Sequence, residues 1–175
     1  MYEEPKYIIK ITILGEKNVG KTSLVYRYIE NKFRDSYKAT LGVNLLKKDM
    51  EVDGNSVSAQ IWDLGGQDSF KSLRKLYLEG SNGALVIFDL TERKTFDRLN
   101  EWVDSFKEAR GEQPMVLIGN KSDLENQRKI TEMEASNYAK ENNMELILTS
   151  AKTGQNVEDA FIILTKRILE IIANR

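Results

Sequence analysis

Apolar positions along the chain fall into two alternating kinds of segment. Ile8 to Leu14, Ala84 to Asp89 (ALVIFD), Met115 to Asn120 (MVLIGN) and Leu146 to Thr149 are apolar runs of strand length. Their apolarity is continuous rather than alternating, as in strands covered by helices on both faces of a parallel sheet. Between them the period changes to that of a helix. Phe96, Leu99, Val103 and Phe106 fall on one helical face, and Val157, Phe161, Leu164 and Ile168 on another. Thr131-x-x-Glu134 reads as a capping box opening a helix that runs to about Asn142. Strands alternating with helices predict an α/β domain around a mostly parallel sheet.

One region breaks the alternation. Val43 to Val52 and Val57 to Trp62 flank "DGNS", whose Asp53-Gly54 is a hairpin signal. An antiparallel edge strand is therefore expected beside the parallel ones, giving a sheet of about six strands. The long irregular stretches are Asn31 to Gly42 and Asp63 to Leu73, and loops of that length in a compact domain are often functional.

Composition narrows the picture without changing it. The 175 residues suit one domain, expected over 1–175 with residues 1–6 as an extension. With 26 basic against 27 acidic residues and no block of like charge, nothing points to a nucleic-acid partner. The chain has no cysteine, which excludes disulfides, thiolate metal sites and thiol nucleophiles. MYEEPKY is neither a signal peptide nor a myristoylation site, and no apolar run approaches a membrane span. The expectation is a soluble, cytoplasmic monomer with no membrane anchor in this chain.

The strongest chemical signal is "GEKNVGKTS", directly after the first strand. Gly15-x-x-x-x-Gly20-Lys21-Thr22 has the spacing at which backbone N–H groups wrap a β-phosphate while the next helix points its positive end at it. The glycines allow an approach that a Cβ would block. Lys21 can reach the β- and γ-phosphates, and the Thr22 hydroxyl can ligate Mg²⁺. Asn18, Val19 and Ser23 complete the expected loop contacts, together with Lys17, a second cation beside the phosphates. Leu24, Val25, Tyr28 and Ile29 then mark a helix, the context the motif needs.

The base is read further on. "NKSD", Asn120 to Asp123, stands at the carboxyl end of a strand, the edge where open α/β sheets bind ligands. An ionised Asp123 can accept two hydrogen bonds from the adjacent N1–H and 2-amino group of guanine, which adenine lacks. A site built this way discriminates by about 10⁴ to 10⁵. In "TSAK", Thr149 to Lys152, the Ala151 N–H could bond guanine O6, with Ser150 and Lys152 on either side.

These motifs reach a known family. From about Lys6 to its end the chain resembles the Ras superfamily of small GTPases, and "TLGVNL", "IWDLGGQDSF", "YLEGS", "VIFDLT" and "SAKTGQNV" are similar to strings of its Rab branch. "WDLGGQD" also looks like the Arf branch. The resemblance implies a P-loop G domain that binds GTP and GDP with Mg²⁺ and hydrolyses GTP slowly. By position, Thr40 matches the switch threonine that joins Mg²⁺, and Asp63 the carboxylate that holds it through water. Gly66 matches the glycine whose N–H meets the γ-phosphate, and Gln67 the residue that orients the attacking water. Phe33 matches the aromatic packed on the base, although a core role at the helix end is its alternative. Tyr37 lies in the same first switch, and Lys121 in the base motif. Lys21, Thr40, Gly66 and Gln67 are the expected catalytic set.

No arginine stands out as an internal finger; one supplied by a partner is worth about 10³ to 10⁵ in rate. Effector, activating and exchange proteins are the partners the resemblance implies. Three positions depart from it. Lys17 replaces a residue usually small, and either reaches solvent or crowds an entering arginine. Ala39 stands where proline is common, and "IIANR" lacks the usual prenylated cysteine. Two other readings stay open: a nucleotide-locked binding module without turnover, and a metabolic P-loop kinase or ATPase. The intact Asp63 and Gln67 argue against the first, the guanine motifs against the second.

Overall fold

A computed structural model describes residues 4–33, 42–66 and 71–175. Tyr37, Ala39, Thr40 and Gln67 therefore lie outside the described residues. The strands are β1 (Tyr7–Leu14), β2 (Val43–Val52), β3 (Asn55–Leu64), β4 (Gly83–Asp89), β5 (Met115–Asn120) and β6 (Glu145–Leu148). They form one six-stranded sheet in the order β2-β3-β1-β4-β5-β6. β2 pairs antiparallel with β3 and every other pairing is parallel. The edge hairpin turns at Asp53 (φ 51) and Gly54 (φ 78), left-handed values that Asp-Gly accommodates.

The helices are α1 (Lys21–Glu30), α2 (Lys71–Leu78), α3 (Arg93–Asp97), α4 (Leu99–Arg110), α5 (Glu132–Glu141) and α6 (Val157–Ala173). They divide between the two faces of the sheet, which explains the continuous apolarity of the strands. Ile9, Ile11, Ile13, Leu85, Ile87, Val116 and Ile118 pack with Leu24 and Val25 of α1 and with Val157, Phe161, Leu164 and Ile168 of α6. Val86, Phe88 and Leu117, one register step away, pack on the other face with Leu78, Phe96, Leu99, Trp102, Val103, Phe106 and Ala135.

The structure corrects four details of the sequence reading. Phe96, Leu99, Val103 and Phe106 share one cluster, but the helix carrying them is broken at Arg98 (φ −96, ψ 8) into α3 and α4. β6 ends at Leu148 rather than Thr149, whose N–H still bonds the Gly119 carbonyl at 2.9 Å while its own carbonyl accepts from the Ser122 N–H of the base motif and its hydroxyl goes to Asn120. The stretch Asp63 to Leu73 is shorter as a loop: Asp63 and Leu64 finish β3, and Lys71 already opens α2. The capping box is half made: the Thr131 hydroxyl accepts from the Glu134 N–H at 3.1 Å, while the Glu134 carboxylate pairs with Arg93 of α3.

Candidate nucleotide-binding site

The loops that follow β1, β3, β5 and β6 meet at one end of the sheet, where a chain leaving parallel strands opens a crevice. Residues 15–20 bend back over the start of α1, and close packing dictates the glycines. A Cβ on Gly15 would lie 2.3 Å from the Ile87 carbonyl oxygen, and one on Gly20 (φ 98) would lie 2.4 Å from Asn120 Nδ2. Gly20 is the N-cap of α1 and supplies no side-chain cap, so the first-turn N–H groups face the loop as donors for an anion.

Lys21 is buried at the centre. Its ammonium donates to the carbonyl oxygens of Gly15 at 2.8 Å and Glu16 at 2.7 Å. Burial pulls its pKa down from 10.5 to about 8, against the opposing pull of Asp63 and Glu16. A phosphate beside this ammonium would supply the counter-charge that burial lacks.

Next to Lys21, the Thr22 hydroxyl donates to Asp63 Oδ2 at 2.6 Å. This brings a hydroxyl from the start of α1 onto a fully buried carboxylate at the end of β3. Two hard oxygen donors in contact suit Mg²⁺, which keeps several waters and takes only one or two protein groups beside substrate phosphates. No group of three or more acidic, histidine or cysteine side chains occurs among the described residues, and such a site needs none. Gly66 lies against the loop: a Cβ there would be 2.4 Å from the Lys17 nitrogen and 2.6 Å from the Glu16 carbonyl carbon.

The base motifs are cross-braced to the phosphate loop. Buried Asn120 donates from Nδ2 to the Val19 carbonyl at 3.0 Å. Its Oδ1 accepts from the Thr149 hydroxyl at 3.0 Å and the Ala151 N–H at 3.3 Å. Lys121 (φ 68) reaches the Asn18 carbonyl at 3.1 Å and pairs with Asp89 at 2.7 Å. Ser150 donates its hydroxyl to Asp123 Oδ1 at 2.8 Å, which orients the carboxylate expected to read guanine.

The remaining expected residues divide. Ser23 is half-buried on α1, whereas Lys17 and Lys152 are exposed, so the Lys17 charge stands in solvent at the loop's mouth. Phe33 lies just past α1, partly buried against the α1/α6 core, the position of its alternative reading. Thr40, Tyr37 and Gln67 are outside the described residues.

Two contributors escaped sequence reading. Arg27 of α1 donates from Nε to the Ala151 carbonyl at 2.7 Å and from its other arm to the Lys152 carbonyl, clamping the base loop. Asp89, the partner of Lys121, was visible only as a lone acid ending an apolar strand.

The arrangement can thus cradle a di- or triphosphate, hold a divalent cation and read a base. A model of the Ras family matches residues 10–170. Ras-related protein Rab-4 of Dictyostelium discoideum is 37% identical over 167 residues, covering 95% of this chain and 82% of that protein. The Rab-4A proteins of Bos taurus and Homo sapiens are each 39% identical over 173 residues, covering 98% of this chain and 79% of theirs. With this likeness across nearly the whole chain, it belongs to the Ras family, as a small GTPase of the Rab branch.

Proposed function

We propose that the site described above is where this GTPase binds GTP and GDP and hydrolyses GTP, and that one G domain, a cytoplasmic monomer, does so. The observation that carries the reading is the brace through Asn120, which joins the phosphate loop at Val19 to the base loop at Ala151. One side chain then sets the spacing between phosphates and base. Lys21 and the N–H groups of the loop hold the β- and γ-phosphates, and Gly66 offers its N–H to the γ-phosphate. Asp123, oriented by Ser150, reads the guanine edge, while Lys121 flanks it.

Thr22 would hold Mg²⁺ directly, joined by Thr40 in the triphosphate state, and Asp63 would hold it through water. When bound, the ion neutralises charge on the β- and γ-oxygens. Gln67 orients the attacking water. Loss of the γ-phosphate removes the contacts to Thr40 and Gly66, and both loops then present a different surface to effectors. Activating and exchange proteins would set the lifetime of each state in a Rab-like trafficking or signalling role.

Identifying the nucleotide retained after gentle purification, and following single-turnover GTP hydrolysis in wild type and Gln67→Leu, tests the reading. GDP as purified, slow hydrolysis and a slower variant are expected. Retained ATP, or equal rates in the two proteins, would overturn it.

A further inference from the structure

Glu16, the second residue of the phosphate loop, is buried, and apart from its electrostatic pull on Lys21 its side chain is turned to other partners. Its backbone carbonyl holds the Lys21 ammonium at 2.7 Å. Its side chain points the other way. Oε1 accepts from the indole N–H of Trp102 at 3.0 Å, and Oε2 lies 3.3 Å from Arg98. Trp102, on α4, is almost wholly buried, so its N–H needs this partner.

The Trp102 ring is in turn covered by the guanidinium of Arg74, 3.8 Å from the ring centroid. Arg74 belongs to α2, which opens at Lys71, four residues after Gln67. It is only 5% exposed. Its Nη1 reaches Glu101 at 3.4 Å and Ser105 at 3.3 Å, while its buried Nη2 has no hydrogen-bond partner among the described residues. A cation buried on long contacts and one aromatic face is an expensive way to anchor a helix, where a leucine would serve. What it adds is direction: the planar stack fixes α2 on the same indole that fixes Glu16.

We propose that Arg74, Trp102 and Glu16 are positioning residues that lock α2 to the phosphate loop. The helix that follows Gln67 in the chain is thereby tied to the residue whose carbonyl holds Lys21. This rests on the GTPase reading above, and it adds a coupling between α2 and the phosphate loop that runs through α4.

The test uses the full chain with Trp62→Phe, which leaves Trp102 as the single tryptophan of two. Glu16→Ala, Arg74→Met and the double variant are compared by single-turnover GTP hydrolysis, by GDP affinity and by Trp102 emission with GDP and with a non-hydrolysable GTP analogue. Each single change should slow hydrolysis by about 2- to 30-fold, with GDP affinity less affected. The double variant should be no slower than the worse single, because both break one path. Trp102 emission should differ between the two nucleotides, and Arg74→Met should abolish the difference. Arg74→Lys, which keeps the charge and loses the planar stack, gives the same comparison should Arg74→Met not fold. Rates that multiply in the double variant, or emission blind to the nucleotide, would overturn the coupling alone. A parent protein that binds GDP and never hydrolyses GTP would overturn the GTPase reading beneath it.

Discussion

Asn120 Nδ2 lies 3.0 Å from the carbonyl oxygen of Val19, across 101 residues of chain. The contact places the end of β5 against the phosphate loop, and the other side of the same amide holds Thr149 and Ala151. Because a Cβ at Gly20 would strike this amide, the glycine of the loop and the asparagine of the base motif depend on each other.

Replacing Asn120 by alanine strands the Val19 carbonyl, the Thr149 hydroxyl and the Ala151 N–H together. Each buried group left unpaired costs about 1–3 kcal/mol. Asn120→Ala should therefore lower the urea midpoint and release GDP faster than wild type. An unchanged midpoint with normal GDP release would show that the brace is idle.

Arg27→Ala tests the base loop from the other side. The bonds from Arg27 to the Ala151 and Lys152 carbonyls are charge-assisted, worth about 1.5–3 kcal/mol apiece when buried. This side chain is partly exposed, so the lower end applies, and GDP dissociation should quicken about tenfold. Stopped-flow release of a fluorescent GDP analogue measures it. Hydrolysis in a single turnover should change less, since Arg27 bonds the base loop rather than Lys21 or Thr22.

The sequence made the strands, both helical stripes and the motif spacings readable because each is a local pattern. α2 was missed for a physical reason. It buries Leu78 and Arg74 and sets Tyr77 beside Trp62, while Leu73 and Leu76, its other apolar positions, stay exposed, so its apolar residues do not mark its buried side. The break at Arg98 was equally hidden, because α3 and α4 keep the apolar period across it. In the site, the spacing of Gly15, Gly20, Lys21 and Thr22 was legible, whereas Arg27 meeting Ala151 and Trp102 meeting Glu16 span 124 and 86 residues. Such pairings exist only once the sheet is assembled.

Gly66→Ala should separate binding from hydrolysis. No positive φ is involved; the constraint is space, since the added carbon would overlap the Lys17 nitrogen and the Glu16 carbonyl carbon. The segment must therefore back away from the loop, taking with it the N–H proposed to meet the γ-phosphate. Loss of one such donor costs about 10²-fold in rate. GDP affinity should be nearly retained while single-turnover hydrolysis collapses, and normal hydrolysis would refute the proposed contact.

The pair of Arg93 and Glu134 joins α3 to α5 and gives a pH-dependent prediction. The Arg93 hydrogen bond and charge hold the Glu134 carboxyl below the usual glutamate range, with a second carboxylate, Asp97, 3.6 Å from Arg93. A carboxyl whose pKa is lower folded than unfolded binds fewer protons in the native state. Its stabilisation is therefore present above the unfolded glutamate pKa and lost as pH falls through the folded value. Both side chains are exposed, so the effect is small and screened by salt. Arg93→Ala should lower the urea midpoint near neutral pH and at low ionic strength. The gap to wild type should close well below the ordinary glutamate range, and closing it with salt at neutral pH should give the same result. A gap indifferent to both pH and salt would assign the loss to the stacking of Arg93 on Phe96, whose ring centroid lies 5.7 Å away, rather than to the ion pair.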